Sequence, residues 1–492
     1  MCMKIGAAVR TSAGVVRGMQ EDLVAIFRGI PYALPPVGRQ RFAAPATPQP
    51  WDGVRDAIEF GPPAPQRRIW DAAGSDDSAD WLTLNVWSPD LGNVGLPVMV
   101  WIHGGAYQQD TSANPHYDCA ALAAAGAVVI SMNYRLGAEG FAHIDGAPDN
   151  RGLLDQAAAL RWVQGNVTAF GGDPANVTIF GQSAGAGSIA ALLSMPSAAG
   201  LFRRAIVQSL PGTYFSNRLA AAISTAIAAE LGTTPTVENL CAIAPNELVR
   251  ATEVIRQTLP QHVDRWGPMA MTPTPFSPVV DGDVLPHAPW SALAAGAARG
   301  IDLLVGHTRD EYRLVAARFG GEVSDQRLTE TLDRLAPAPD GGAAYRAAWP
   351  DVAPATLYET VNADWLMRMP TLHLAAAQIA GGGRSWMYEL AWGFGPAGAS
   401  HSLDVLLLLG TLDYDDVRDA DGSPGEAARL SEQMRIDWLS FATTGHPGWA
   451  PYNSTSRTTR VYDVIPTVQP YPEAKSQHIW RGHRFGILDL LD

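Results

Sequence analysis

The chain has 492 residues, of which 47% are hydrophobic and only 17% charged. That is enough apolar material for a large buried core and too little charge for a solvated, disordered chain. A formal net charge of −14 repels polyanions, which argues against a nucleic-acid partner or an anionic membrane face.

Cys2, Cys119 and Cys241 cannot all pair and none sits in a C-x-x-C, so neither a disulfide framework nor a thiolate zinc site is expected. The first 14 residues hold no apolar run of signal-peptide length. Nowhere does the chain approach the ~20 consecutive apolar residues of a membrane span. The expected setting is the reducing cytoplasm, without a membrane partner. Length alone suggests about two to four domains, but composition shifts sharply nowhere. We expect a single domain over residues 1–492, with a helical insertion at about 212–300.

Strand and helix signals alternate from residue 96 onward. Leu96–Ile102 (LPVMVWI) is a short apolar run ending close to glycines. The alanine-rich residues 120–125 predict a helix, and 127–132 (AVVISM) a second strand. Residues 151–163 set Leu153, Ala157, Leu160 and Val163 on one side of a helix. The cluster Gly171-Gly172-Asp173-Pro174 predicts a turn. Residues 177–180 (VTIF) predict a strand and 185–195 a helix, with a strand candidate at 205–208. Between about Gly212 and Pro286 strand signals fade, and residues 220–229 predict a helix there. Further strand candidates are 303–306 and 386–390. Continuous apolar strands separated by helices predict an α/β fold, with a mostly parallel sheet covered on both faces.

Gly181-Gln182-Ser183-Ala184-Gly185 is a G-x-S-x-G. A nucleophilic serine of this kind stands at the tip of a sharp strand-to-helix turn, and the flanking glycines let strand and helix approach. A chain with 48 glycines carries about 0.2 such pentapeptides by chance, so context has to decide. Here the strand 177–180 runs straight into Gly181, and a small-residue helix starts directly after Ser183. That helix start aims backbone N–H groups at the surroundings of the serine, where negative charge would develop. Upstream, His103-Gly104-Gly105-Ala106 follows the strand Leu96–Ile102 as an HGGG-type loop with alanine in the last position. It predicts oxyanion donors at the N–H groups of Gly105 and Ala106, with that of Ala184 as the third. Read singly, each segment is an ordinary glycine-rich turn. Together, in the right order, they are two parts of one mechanism.

On such a sheet the acid follows the serine and the histidine follows the acid. Five histidines lie far downstream: His373, His401, His446, His478 and His483. His401 follows the strand candidate 386–390, at the strand end where catalytic groups gather in open parallel sheets. Order alone favours it only modestly over the other four. The acid candidates are Asp310 and Glu311, just past 303–306, and periodicity does not choose between them.

Other segments extend over nearly the whole chain. They are Phe27-Arg28-Gly29-Ile30-Pro31-Tyr32-Ala33, Pro35-Pro36-Val37-Gly38, Arg41-Phe42, Leu82-Thr83-Leu84-Asn85-Val86-Trp87 and Asn133-Tyr134-Arg135-Leu136-Gly137. Arg151-Gly152-Leu153-Leu154-Asp155-Gln156, Trp162-Val163, Phe170-Gly171-Gly172-Asp173-Pro174, Trp438, Phe441-Ala442 and Gly445-His446-Pro447 follow. With these, the chain resembles the type B carboxylesterases, the group that includes bacterial para-nitrobenzyl esterases and the cholinesterases.

The resemblance implies an α/β-hydrolase fold with inserted helical segments over the active site. It implies hydrolysis of a small-molecule carboxylic ester through an acyl-enzyme on Ser183, with no metal or organic cofactor. The family's acid is the glutamate of a G-x-x-x-D-E segment, here Gly306-His307-Thr308-Arg309-Asp310-Glu311, which implies Glu311. Its base is the histidine of an A-x-H-x-x-[DE] segment, here Ala399-Ser400-His401-Ser402-Leu403-Asp404, which implies His401. The oxyanion donors carry over as Gly105, Ala106 and Ala184. A non-catalytic interaction module on this fold would lack the serine that this chain keeps; amide hydrolysis or acyl transfer to an alcohol is a further alternative.

The chain departs from the family in three places. Ser78-Ala79-Asp80-Trp81 stands where S-E-D-C is common, which removes an early disulfide and the glutamate partner of Arg28. Tyr312 replaces the glycine after the acid. Trp70, Trp266, Trp365 and Trp392 are candidates to line a gorge, and Arg309, Arg313 and Arg368 to select an acidic ester; for each of these seven, a core or surface role is the competing expectation.

Overall fold

Successive strand residues leave on opposite faces, and in the middle of this chain both faces are apolar, so both have to be covered. Val98, Val100 and Ile102 join one buried cluster, while Met99 and Trp101 join another. Leu303 and Val305 likewise lie on the first face and Leu304 on the second.

The computed structural model describes residues 4–67, 80–318, 323–337, 339–413 and 425–491. Its strands are β1 (Lys4–Arg10), β2 (Val15–Glu21), β3 (Val24–Pro31), β4 (Val54–Asp56), β5 (Thr83–Ser88), β6 (Leu96–Ile102), β7 (Val128–Met132), β8 (Gly172–Gln182), β9 (Arg204–Gln208), β10 (Phe215–Ser216), β11 (Val279–Val280), β12 (Asp302–Thr308), β13 (Arg384–Leu390), β14 (Thr458–Tyr462) and β15 (Thr467–Pro470). Thirteen strands form one sheet in the order β1-β2-β3-β5-β7-β6-β8-β9-β12-β13-β14-β15, with β4 beside β2. From β7 to β14 every neighbouring pair is parallel. Antiparallel strands close the sheet at both ends.

The helices that frame the site are α1 (Ala120–Ala124), α2 (Arg151–Asn166), α3 (Ala184–Leu192), α4 (Asn217–Ala229), α5 (Pro245–Thr258), α6 (Met369–Ala380), α7 (Leu403–Leu409) and α8 (Gly425–Thr444). The first apolar face is covered by α2, α3 and α6, and the second by α1, α7 and α8. This is the α/β-hydrolase architecture. No helix among the described residues is long and apolar enough to cross a membrane.

Two local differences from the sequence reading have simple causes. Gly171 does turn, with φ 91°, but Gly172 already pairs with Leu96, and Val177 pairs with Val98. The Asp173-Pro174 segment is thus absorbed as a bulge in β8. The helix expected to reach residue 195 ends at Leu192, because Pro196 pushes Met195 out of the helical region, to φ −86° and ψ 121°.

The parallel run matters most for function. Since β6, β8, β9, β12 and β13 share one direction, the loops that follow them emerge from the same edge. Ile102 pairs with Gly181, Gln182 with Gln208, Gln208 with Gly306, and Gly306 with Tyr388.

Candidate active site

Ser183 sits between β8 and α3 with φ 56° and ψ −124°, a conformation that costs a non-glycine residue on the order of 1–3 kcal/mol. The turn is held by its own backbone. Ser183 N donates to Gln208 O at 2.9 Å, and Gly187 N donates to Ser183 O at 2.9 Å. The neighbouring glycines are required by close approach. A Cβ on Gly185 would collide with the Ile102 carbonyl, and one on Gly181 would lie 2.6 Å from the same oxygen. β6, the elbow and α3 therefore close on one another only without side chains at these two positions.

The glycine loop packs on the nucleophile. A Cβ on Gly104 would stand 3.2 Å from Ser183 Cβ and 2.8 Å from Gln182 O. Gly105, Ala106 and Tyr107 all have positive φ, at 95°, 55° and 59°. Carbonyls pin this strained run: Gly105 O accepts from Gln108 N at 3.1 Å and Gln109 N at 3.0 Å, and Tyr107 O accepts from Gly137 N at 2.7 Å. Ala184 is the first residue of α3, where an N–H has no partner within the helix. His103 is buried beneath, stacked on Tyr134 with ring centroids 4.5 Å apart, and burial pulls its pKa down.

Glu311 is fully buried, its side chain having no exposure. Its Oε2 lies 2.5 Å from His401 Nδ1. Its Oε1 accepts from Ser209 Oγ at 2.6 Å and from Thr308 N at 2.9 Å. Burial by itself would raise the carboxyl pKa; the His401 charge and hydrogen bond, with the Ser209 hydroxyl and the nearby His307, outweigh it and hold the group below its ordinary value. The Gln182 side-chain amide nitrogen lies 2.9 Å from His401 Nε2 and 3.3 Å from Nδ1. As Gln182 immediately precedes Ser183, the imidazole lies beside the elbow.

The choice between Asp310 and Glu311, open to sequence periodicity, is geometric. Asp310 turns away from His401: Oδ2 accepts from Ala399 N at 2.8 Å, and Oδ1 pairs with Arg313 at 2.7 Å. Asp310 N also donates to Ala399 O at 2.9 Å. It staples the loop of the histidine to the loop of the acid. The other histidine candidates lie elsewhere. His373 packs on Phe485 and His483, with burial lowering its pKa to about 4. His446 meets Trp386, and His478 is exposed at the end of the helix Ala474–Ile479.

Some contributors were not identified from sequence. Ser209 follows β9 with φ 57°, at the same sheet edge, and that position was its only signal. Asp404 is buried and accepts from Gln208 Nε2 at 2.9 Å and Tyr388 Oη at 2.6 Å. It anchors the start of α7, just after His401, and burial raises its pKa.

The three arginines considered for an acidic ester are engaged in ion pairs. Arg309 pairs with Glu389 at 2.8 Å, Arg313 with Asp310 and Glu359, and Arg368 with Asp364 at 2.7 Å. Trp266 and Trp392 are buried in the core and Trp365 packs against it; Trp70 lies outside the described residues. Tyr312 is buried edge-on to Tyr358. Arg28 lies over the Phe60 ring at 4.5 Å. Cys119 is a buried free thiol and Cys241 an exposed one; Cys2 is outside the described residues.

The sequence matches the carboxylesterase family over residues 6–479. It is 37% identical over 489 residues to the para-nitrobenzyl esterase of Bacillus subtilis, an alignment that covers 95% of this chain and 97% of that one. It is 33% identical to the fumonisin B1 esterase of Sphingopyxis macrogoltabida, covering 89% and 82%. Among solved structures, a PNB esterase superposes with a TM-score of 0.85 at 36% identity, covering 96% of this chain and 99% of that one. The Geobacillus stearothermophilus carboxylesterase EST55 gives 0.83 at 35%, with the same coverage.

Proposed function

The chain belongs to the carboxylesterase family and is a carboxylic ester hydrolase, and from this premise we propose that Ser183, His401 and Glu311 are its catalytic triad. The observation that carries the assignment is the buried Glu311 carboxylate on His401 Nδ1 at 2.5 Å, on an imidazole that touches Gln182, the residue before the strained Ser183 elbow. Glu311 keeps Nδ1 protonated and Nε2 free to act as a base, and its charge stabilises the imidazolium that forms.

Each step follows from that tautomer. Ser183 Oγ bonds to the ester carbonyl carbon as its proton passes to His401 Nε2. The carbonyl oxygen becomes an oxyanion, received by the N–H groups of Gly105, Ala106 and Ala184; one such donor is typically worth about 10²–10³ in rate. The C–O bond to the alcohol then breaks, and the leaving oxygen takes the proton from His401. Water repeats the sequence on the acyl-enzyme, releases the acid and regenerates Ser183. We treat residues 1–492 as one catalytic domain, with the helical segment at about 212–300 over the site.

The relatives are named for para-nitrobenzyl and fumonisin B1 esters, and we take a small aryl ester as the test substrate here. Ser183→Ala should lower turnover of p-nitrophenyl acetate by about 10⁶-fold, with the melting temperature little changed. Turnover retained in that variant would remove Ser183 from the mechanism.

A further inference from the structure

A cavity of about 350 Å³ opens beside the glycine loop, beginning at Ala106. Under the proposed function a substrate whose carbonyl oxygen rests on the Ala106 N–H extends one of its arms into this space. Leu136, Leu248 and Val315 give it apolar walls. Four charged side chains also line it: Arg67, Glu139, Glu253 and Arg256.

Three of the four are already engaged. Glu139 is buried and takes Arg41 Nη2 at 2.7 Å and Nε at 3.0 Å. Glu253 and Arg256 form a two-pronged pair at 2.6 and 2.8 Å, and Gln257 adds a third donor to Glu253 at 2.9 Å. Arg67 is different. It is exposed at the cavity, and among the described residues its guanidinium has no ion pair or side-chain hydrogen bond. Arg67 acts on Glu253 through charge alone, and Glu253 is already ion-paired with Arg256; two cations thus share one carboxylate, and the Arg67 fork keeps its five donors for a further carboxylate. This cation stands on a chain whose net charge is −14, so an anionic ester would be drawn to this patch and repelled by much of the remaining surface.

We infer that the preferred ester carries a carboxylate on the arm that enters this cavity, a few bonds from the scissile carbonyl, and that Arg67 binds it. The inference rests on the assignment of Ala106 to the oxyanion hole, and it differs from the sequence expectation in which arginine would do so.

The test compares kcat/KM for two matched pairs on the purified full chain. The pair p-nitrophenyl butyrate and mono-p-nitrophenyl glutarate puts the carboxylate on the acyl arm. Benzyl acetate and 4-carboxybenzyl acetate put it on the alcohol arm. In one of the pairs, Arg67→Gln should lower the acidic-to-neutral ratio about 10-fold, and Glu253→Gln, which frees Arg256, should raise it. Raising the salt to about 0.5 M should narrow the wild-type ratio, because the contact is partly exposed. A ratio taken within one variant cancels any loss of folded protein. Ratios that agree within twofold between wild type and both variants, for both pairs, would overturn the inference and leave ester hydrolysis standing. A wild-type protein that cleaves none of the four esters would instead bring down the catalytic reading, and this inference with it.

Discussion

Replacing Glu311 by glutamine tests the acid of the triad at a single atom. In the native site Oε1 receives two donors, Ser209 Oγ at 2.6 Å and Thr308 N at 2.9 Å, while Oε2 faces His401 Nδ1 at 2.5 Å. A glutamine here has one orientation that satisfies those two donors, with its carbonyl oxygen on the Oε1 side. Its NH₂ then points at His401 Nδ1 and donates to it. Nδ1 must become the acceptor, so the proton moves to Nε2, and the ring can no longer take the proton of Ser183. The negative charge that stabilises the imidazolium is lost as well. Wrong-tautomer variants of this kind lose about 10⁴ in kcat, or about 5 kcal/mol at 1.36 kcal/mol per decade.

Initial rates with p-nitrophenyl acetate near pH 8 should therefore show kcat down about 10⁴-fold with KM changed far less. Asp310→Asn, which keeps an acceptor for Ala399 N, should stay within about 10-fold of wild type, as Asp310 does not touch His401. Glu311→Gln also alters acid stability. Glu311 has a folded pKa below its ordinary value, so its stabilising contribution is present above the unfolded carboxylate pKa, near 4.3, and is lost as pH falls through the folded value. The stability of the wild type relative to Glu311→Gln should be flat above about pH 5 and decline as the pH drops below about 4. A glutamine variant with more than a tenth of wild-type kcat, or an asparagine at 310 that matches its loss, would refute the assignment of the acid.

Two further substitutions probe neighbouring features. Gln182→Glu puts a carboxylate where an amide nitrogen now lies 2.9 Å from His401 Nε2; it favours the imidazolium, so the acid limb of the kcat/KM profile against pH should move up by about one unit, and an unmoved limb would separate Gln182 from the base. Leu304→Ala, at a position in the middle of β12 with no exposure, should cost about 2–5 kcal/mol in urea unfolding. A loss below about 1 kcal/mol would mean that the second face of the sheet is loosely packed.

Much of the fold was legible before any coordinates, and for one reason. A strand buried on both faces has to be a continuous apolar run, so LPVMVWI at β6, VTIF within β8 and the cores of β7, β9, β12 and β13 stand out against their surroundings. Several strands toward the two ends of the sheet did not. β4 and β15 are exposed at every position, and β2 mixes buried with partly buried residues, so backbone pairing defines them and the sequence carries no comparable signal. The elbow was legible too, because a collision with Ile102 O demands glycine at 185, and that demand is written in the pentapeptide.

The partners of Ser183 divide along the same line. The order of acid before histidine, and the resemblance to a family, pointed to Glu311 and His401 without a single contact. The tertiary structure supplies the physical reason for Glu311 over Asp310, because adjacent residues on a turn differ in direction and not in composition: one carboxylate reaches His401, the other staples Ala399. It alone brings Ser209 to Glu311 and ties Asp404, already in the segment of His401, to Gln208 and Tyr388. It alone shows that Arg309, Arg313 and Arg368 sit in ion pairs with carboxylates while Arg67 forms none among the described residues, since pairing depends on what packs beside a charge. The residue types and their order determined the chemistry this protein can perform; the parallel alignment of β6, β8, β9, β12 and β13, which brings their C-terminal ends to one edge, decided which of those residues meet.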